Sequence, residues 1–236
     1  MIYKGDDRLE KLSIHRVLAL KKTTADRILS ELENSLLIDI RQGNKSTLRG
    51  VAVEDIEKQI ISAYQKINQL ISNYIKIKSA LLQSNAGIRG NVENLHRVEV
   101  CGRKYTMAEL IFMSDEIYGN RRHKDAFKQQ LLDKMKKSYS TATFKVDRQF
   151  QKIEDDIKDY LANAVSSDKG LSNEEIKKRS DMFHADGDFS LIDPLNLRDK
   201  IEKLESEIEQ FRTDCDAVIS EQNALTTVEI DLTTDK

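Results

Sequence analysis

A long helical repeat between Ile56 and Leu81 constrains the fold more than any other feature of the sequence. Its apolar residues are separated alternately by four and three positions, an average of about 3.5 residues that keeps one narrow stripe on one side of a helix. The stripe consists of Ile56, Ile60, Ala63, Ile67, Leu70, Tyr74, Ile77 and Leu81. Polar residues fill most of the other faces, so the stripe needs a partner helix to cover it. The sequence therefore predicts a protein built by helix packing.

A second apolar stripe with the same spacing starts at Leu197. It consists of Leu197, Ile201, Leu204, Ile208, Phe211, Cys215 and Val218, and it reaches Leu225 if Gln222 is accepted as a polar member. Two stripes of similar length can pack on each other, or each can pack on another copy of the chain. Because narrow stripes leave apolar edges that a second copy can cover, we predict a homo-oligomer, with a dimer as the simplest symmetric state.

The composition favours long, solvated helices. Charged residues make up 33% of the chain, which contains one Pro and no Trp. A β-sandwich or an α/β enzyme normally has more Gly-rich turns and β-branched runs. The formal net charge is -2, so the overall charge indicates neither nucleic acid nor a membrane as the partner.

Cysteine usage and the N-terminal sequence predict a cytoplasmic protein. Cys101 and Cys215 are too few and too far apart for a disulfide framework, so we interpret both as reduced thiols. Residues 1–7 lack the apolar core of a signal peptide. No apolar run is long enough for a transmembrane helix. We therefore expect no membrane partner.

These observations predict a mainly α fold of long, antiparallel, coiled-coil-like helices with a small β element. We expect a single elongated helical domain over residues 1–236. Its helical core would cover about 13–84 and 194–225, and about 85–190 would form an inserted section of strands and helices.

Residues that commonly cap helix N-termini precede several of the predicted helices. The predicted starts are Ser13, Thr106 with Glu109, Ser172 with Glu175, and Asp193 with Pro194. We expect the Thr106 helix to bury Leu110 and Ile111 and to end near Gly119. A basic helix and then a separate helix with the residues Val146 to Ala164 would follow. The Ser172 helix would end near His184, before a flexible stretch at Asp186–Asp188.

Short alternating segments predict the β element. One lies between the first two helices, near Leu37–Ile40 and Val51–Val53. Val98–Val100 and Arg103–Tyr105 can form a hairpin around Cys101-Gly102. Thr227–Leu232 also alternates, and we expect it to pair with Val98–Val100.

The sequence lacks the usual signatures of metal sites and catalysis. The four histidines are scattered, without a second His or Cys at ligand spacing. His184, Asp186 and Asp188 resemble part of a calcium loop, but the acidic residue at the loop end is missing. There is no Gly-rich phosphate loop, nucleophile elbow or His-paired Cys. We predict a protein that is not an enzyme and has no metal or cofactor.

The most basic stretch of the chain is Arg121–Lys137. It is either a solvated helix face balanced by the acidic C-terminal helix, or an electropositive surface for the phosphates of nucleic acid or a nucleotide. Its aromatic residues are too sparse for a binder of single-stranded nucleic acid, and we do not expect nucleic acid as the partner. The cations near Gly43 leave a similar choice between a solvated loop and an anion-binding loop; they are Arg41, Lys45 and Arg49.

Arg103 and Lys104 provide further cations just before the helix capped by Thr106. The exposed amides of a helix N-terminus favour anions, and an aromatic side chain can stack on a base. We therefore predict that an anionic, nucleotide-like ligand is bound by Arg103, Lys104, Tyr105, Arg121, Arg122, Lys124 and Lys128.

Several short strings resemble an uncharacterised helical family of bacteria and phages, some of whose members are labelled septicolysin-like. The similar strings are Ser84-Asn85-Ala86, Val98-Glu99-Val100, Gly102, Tyr105–Glu109, Asp193-Pro194-Leu195 and Ser220–Thr227. The resemblance covers most of the chain, mainly at caps and turns. It implies a cytoplasmic helical protein without an assigned active site, so no functional residue is transferred.

A phage setting, implied by this resemblance alone, would make an immune signalling nucleotide a suitable ligand for sequestration. A purely structural coiled-coil scaffold is the alternative. The septicolysin label implies a third function, membrane lysis. The sequence departs from that function because it shows neither an export signal nor a strongly apolar insertion segment.

Overall fold

The computed structural model describes residues 12–43, 45–85, 96–120, 122–166 and 172–227. The fold is mainly α with small antiparallel strand pairs, which confirms the predicted fold class. The helices are α1 (Ile14–Asn34), α2 (Val53–Asn85), α3 (Met107–Phe112), α4 (Phe127–Ser166), α5 (Asn173–Gly187) and α6 (Leu197–Leu225), and a π-helical segment (Met113–Tyr118) directly follows α3. The strands are β1 (Asp39–Gln42), β2 (Thr47–Leu48), β3 (Val51–Ala52), β4 (Val98–Val100), β5 (Arg103–Tyr105) and β6 (Phe189–Ile192).

Residue contacts divide the chain into two compact units. Unit 1 contains the described residues of Met1–Ser30, Gln69–Phe127 and Ile208–Lys236. Unit 2 contains those of Glu31–Asn68 and Lys128–Glu207. Several helices contribute residues to both units. A continuous helix can run through two contact-dense regions of one domain or link two domains, so the single domain over 1–236 stays a prediction.

Both heptad stripes are buried as the spacing predicts. In α2, Ile60 and Ile67 are 0% exposed, and only Ala63 and Ile77 of the stripe are partly exposed. In α6, every stripe residue from Leu197 to Cys215 is buried. Leu225 is 71% exposed, so the buried part of the stripe ends before the helix does.

The core of unit 1 surrounds the aromatic ring of Phe211. The ring of Tyr118 stacks on it with centroids 3.9 Å apart, and Tyr105 meets it edge-on at 6.3 Å. Arg212 donates from Nε to the carbonyl of Gly119 at 2.7 Å, and from its guanidinium to the carbonyl of Tyr118 at 3.1 Å. The last carbonyls of the π-helical segment are therefore satisfied by a side chain from α6.

The two predicted capping boxes are present. Thr106 Oγ1 accepts a hydrogen bond from the backbone N–H of Glu109 at 3.2 Å, and the Glu109 carboxylate accepts one from the Thr106 N–H at 3.0 Å. Ser172 and Glu175 repeat the arrangement at the start of α5. Ile111 was expected to be buried but is 48% exposed, because it lies on the outer face of the short helix α3.

The start of α6 differs from the prediction. The carboxylate of Asp193 caps the helix by accepting from the Leu197 N–H at 2.8 Å, but Pro194 lies in a turn before the helix and not in its first turn. Asn196 has a left-handed backbone with φ 50°. Its carbonyl accepts the first helical hydrogen bond, from the Lys200 N–H at 3.1 Å. This turn delays the helix until Leu197.

Two helix lengths were also predicted wrongly. The expected break between the basic helix and the Val146 helix does not exist, because α4 is one helix of 40 residues. No Gly or Pro lies there, and the hydroxyl of Thr143 donates to the carbonyl of Tyr139 at 3.0 Å instead of disrupting the helix. Helix α5 extends to Gly187, so the stretch expected to be flexible is partly helical. None of the helices in the described ranges is long and apolar enough to cross a membrane.

The hairpin β4–β5 forms as predicted, with Val98 opposite Tyr105 and Val100 opposite Arg103. Cys101 and Gly102 both have positive φ, which the tight turn requires. In unit 2, β1 pairs with β6, a strand that the sequence analysis did not identify. The predicted strand over 227–232 lies outside the described residues after Thr227.

Candidate anion-binding site

The residues predicted to bind an anion belong to different parts of the chain. Arg103 and Lys104 are exposed on β5, and Arg122 and Lys124 are exposed in the loop before α4. Tyr105 is partly buried against Phe211, and this burial raises the pKa of its hydroxyl. The hydroxyl therefore remains protonated at neutral pH. These residues lie in unit 1, whereas Arg121 lies outside the described residues.

Lys128 lies in unit 2, where it forms an ion pair with Glu207 of α6. Its side chain is only 17% exposed. Lys136, two turns further along α4, forms a second ion pair with Glu205. For these two lysines the structure matches the alternative of a basic helix face balanced by the acidic C-terminal helix.

A cleft of about 560 Å³ in unit 2 is lined in part by two other lysines of the same basic stretch, Lys134 and Lys137. It is lined by the end of α1, the start of β1, the turn between β2 and β3, and one face of α4. The lining residues are Leu32, Glu33, Leu36, Ile38, Asp39, Ile40, Arg49, Lys134, Lys137, Ser138, Thr141, Ala142 and Lys145. Four of these side chains are cationic and two are acidic.

Helical spacing places the α4 residues on the same side of the cleft. From Lys134 to Lys145 they recur at intervals of three or four positions, so they share one face of the helix. Arg49 reaches the cleft from a two-residue turn in which it has φ 53° and Gly50 has φ 79°. Asp39 holds the guanidinium of Arg49 in an ion pair. The Arg49 side chain is 69% exposed, so its charge is paired at the surface of the cleft.

Two of the lysines are available for a ligand. The ammonium of Lys134 already donates to the carbonyl of Glu33 at 2.9 Å, in the last turn of α1. The exposed side chains of Lys137 and Lys145 make no hydrogen bond or ion pair with another residue in the part of the chain that the structure describes. The hydroxyls of Ser138 and Thr141 lie on the same helix face as hydrogen-bond donors.

The apolar residues that line the cleft are Leu32, Leu36, Ile38, Ile40 and Ala142, and we call them its apolar floor. Leu32 and Ile38 are each only 5% exposed. Apolar residues beside convergent polar groups are typical of sites for small molecules, and the volume is in the usual range of about 300–1,000 Å³, although most lining residues of this cleft are polar or charged. The cleft can therefore bind the apolar part of a ligand on its floor and an anionic part with its lysines.

Sequence reasoning found part of this site. Lys134 and Lys137 belong to the predicted basic stretch, and Arg49 belongs to the loop for which anion binding was an alternative. Ser138, Thr141 and Lys145 were missed because a helix break was expected between Lys137 and Val146. The uninterrupted spacing of three and four residues was the available signal.

In the described ranges, neither the potential metal ligands nor the two cysteines form a second site of known chemistry. Within the described residues, no group of three or more His, Cys, Asp or Glu side chains could hold a metal ion. Burial raises the pKa of the Cys215 thiol to about 11, so it stays protonated and unreactive at neutral pH. Cys101 is exposed and donates from Sγ to the Asp214 carboxylate at 3.3 Å.

Comparison of the chain with protein-family models, with curated proteins and with solved structures gave no match. Similarity to a known protein therefore assigns neither a family nor an activity. The cleft of unit 2 is the feature on which a functional conclusion rests.

Proposed function

We propose that this protein is a non-enzymatic helical protein that binds a small anionic ligand in the cleft of unit 2 and holds it without converting it. The observation that carries the proposal is the pair of exposed lysines, Lys137 and Lys145, beside an apolar floor. Lysine ammonium groups bind phosphate as point charges. The ligand class that we infer is a nucleotide, with its phosphate at the lysines and its base on the aliphatic floor.

The cellular role that fits this ligand best is sequestration of a signalling nucleotide in the cytoplasm. This step rests on the resemblance to a family of bacteria and phages, not on the geometry. The predicted cations of unit 1 are the competing candidate for binding the same ligand, since Arg122 and Lys124 are also exposed. Replacing the cations by glutamate in one unit at a time shows which of the two candidates binds the ligand.

The binding experiment compares two double variants with the unmodified protein. Small molecules released on denaturation are identified by mass spectrometry, and a panel of cyclic nucleotides and inorganic phosphate is titrated by calorimetry. We expect Lys137→Glu with Lys145→Glu to weaken nucleotide binding by roughly tenfold or more, because each lost charge-assisted hydrogen bond is worth about 1.5–3 kcal/mol.

The matched control is Arg122→Glu with Lys124→Glu, which we expect to leave binding unchanged. Loss of binding in this control alone would move the site to unit 1. If no anion is released or bound by the unmodified protein, the binding function is refuted and the scaffold function remains.

A structural, homo-oligomeric scaffold is the second candidate function. One face of α1 carries exposed apolar side chains at helical spacing, with Ile14 54%, Leu18 51% and Leu29 44% exposed. A second copy of the chain is the partner that we propose for this face. Light scattering at micromolar concentration is expected to give a multiple of the chain mass, and Leu18→Glu with Leu29→Glu is expected to lower it. A monomer mass for the unmodified protein would refute this function.

A further inference from the structure

The cleft of unit 2 has an excess of two positive charges, and both belong to one face of α4. Four cationic and two acidic side chains line the cleft. Asp39 pairs with Arg49, and the second acid is the residue whose backbone carbonyl accepts from Lys134 at 2.9 Å. The two charges that remain are those of Lys137 and Lys145, whose side chains form no hydrogen bond or ion pair with other residues of the described ranges.

Helix geometry keeps these two ammonium groups apart. Lys137, Thr141 and Lys145 follow one another at intervals of four residues, so they form one row along α4. At about 1.5 Å per residue, the backbones of the two lysines are roughly 12 Å apart along the helix axis. Side chains on a helix lean toward its N-terminus, so both lysines lean in the same direction and not toward each other.

Two hydroxyls on the same face supply neutral hydrogen-bond donors. A Ser or Thr inside a helix commonly donates to a carbonyl of the preceding turn, as Ser140 does to the carbonyl of Lys137 at 3.1 Å. Within the described part of the chain, Ser138 and Thr141 form no side-chain hydrogen bond of this or any other kind. Their hydroxyls can therefore donate to a ligand, beside Lys137 and between the two lysines.

We propose that the ligand of this cleft carries two phosphate groups at separate positions, one bound by Lys137 with Ser138 and the other by Lys145. This inference rests on the proposed function, because it defines the anion that the cleft holds. The part of the ligand between the phosphates lies across the apolar floor, beside the hydroxyl of Thr141. A single phosphate, or the adjacent phosphates of a nucleoside triphosphate, would bind one lysine and leave the other without an anion.

Calorimetry of the unmodified full chain with simple alkyl phosphates tests the separation of the two phosphates. Hexanediol bisphosphate carries a phosphate at each end of its chain, propanediol bisphosphate holds the same charges closer together, and hexyl phosphate has a single phosphate. We expect hexanediol bisphosphate to bind roughly tenfold or more tightly than hexyl phosphate, because only the bisphosphate engages both lysines. We also expect it to bind several-fold more tightly than propanediol bisphosphate, because the shorter chain does not span the row.

Single substitutions test the role of each lysine. We expect Lys137→Gln and Lys145→Gln each to reduce the affinity for hexanediol bisphosphate to about that for hexyl phosphate. Each should change the binding of hexyl phosphate by no more than about twofold, because one lysine remains for its single phosphate. Lys136→Gln is the matched control, because it removes the same charge at the adjacent position, where Lys136 pairs with Glu205 of α6. We expect this control to leave binding of all three compounds unchanged.

A single phosphate shared by both lysines would give a different result. Hexyl phosphate would then bind as tightly as hexanediol bisphosphate, and both lysine variants would weaken its binding. That result, or equal affinities for the two bisphosphates, would overturn this inference while leaving anion binding in the cleft intact. If none of the three compounds and no member of the nucleotide panel binds, the proposed function is refuted together with the inference.

Discussion

Gly119 ends the π-helical segment in a backbone conformation that other residues rarely adopt. Its φ is 77° and its ψ is 156°, a region essentially restricted to glycine. An added Cβ would lie 2.8 Å from the carbonyl oxygen of His123 and 3.0 Å from the guanidinium of Arg212. Both the backbone and the surrounding space therefore require glycine at this position.

We expect Gly119→Ala to lower the free energy of unfolding by about 2 kcal/mol or more, since backbone strain of this kind costs about 1–3 kcal/mol before any clash. Urea denaturation measures the change. Gly102→Ala is the control, because Gly102 has φ 71° but an added Cβ there has nothing within 4 Å. A loss for Gly102→Ala as large as that for Gly119→Ala would show that the contacts around Gly119 contribute nothing.

At the scale of elements, one histidine joins α5 to α4. His184 Nδ1 lies 3.0 Å from Asp188 at the end of α5, and Nε2 lies 3.2 Å from Glu154 of α4. The imidazole also packs beside the ring of Phe150, with centroids 5.4 Å apart. The hydrogen bond with Asp188, followed by that with Glu154, raises the pKa of His184 above its usual value.

This shift predicts a pH-dependent contribution to stability. Because the pKa is raised on folding, protonated His184 stabilises the folded state fully below the unfolded-state pKa of about 6.5, and the contribution disappears as pH rises through the higher folded-state pKa. We expect His184→Gln to destabilise the protein at pH 5.5 and to have a smaller effect at pH 8.5, as measured by urea denaturation. The exposed His15→Gln serves as the control, and an equal effect of His184→Gln at both pH values would contradict the prediction.

A single charge placed in each heptad stripe tests whether that stripe forms the core of its unit. Ile67 in unit 2 is 0% exposed and Ile208 in unit 1 is 2% exposed. Replacing either by Asp places an unpaired carboxylate in an apolar core, which costs several kcal/mol. We expect both variants to lose cooperative thermal unfolding followed by circular dichroism.

Ile61→Asp is the matched control on α2, because Ile61 is 36% exposed and its carboxylate would remain hydrated. Normal melting of Ile67→Asp and Ile208→Asp would show that the stripes do not form the cores. Unfolding of Ile61→Asp would show that any charge on this helix is disruptive, whichever face it occupies.

At the scale of the whole molecule, features that depend on nearby residues could be predicted from the sequence, and pairings between distant segments could not. The stripe of α2 and the capping box of Thr106 depend on residues within a few turns of each other, so their spacing appears in the sequence. Strand β6 lacks such a signal, since its four residues become a strand only by pairing with β1. The π-helical segment continues the pattern of α3 without a local mark of the change in hydrogen bonding.

The candidate cleft was likewise predictable only in its local parts. The basic stretch that contains Lys137 was visible in the sequence, and so were the cations near Arg49. Their convergence depends on how α1, β1 and α4 pack within unit 2, which no local pattern encodes. The ion pair that occupies Lys128 is likewise a product of packing, because its partner Glu207 lies 79 residues away.

The strand pair β1–β6 also affects the order of events during synthesis. Arg41 and Ser190, which face each other in this pair, lie 149 residues apart. At about 5–20 residues per second, a ribosome needs roughly 7–30 s to make the intervening chain. During that time the N–H and C=O groups of β1 have no partner from β6, and such an unpaired edge can recruit strands of other nascent chains. The speed of translation through the segment before Phe189 therefore sets how long each new molecule is exposed to misassembly.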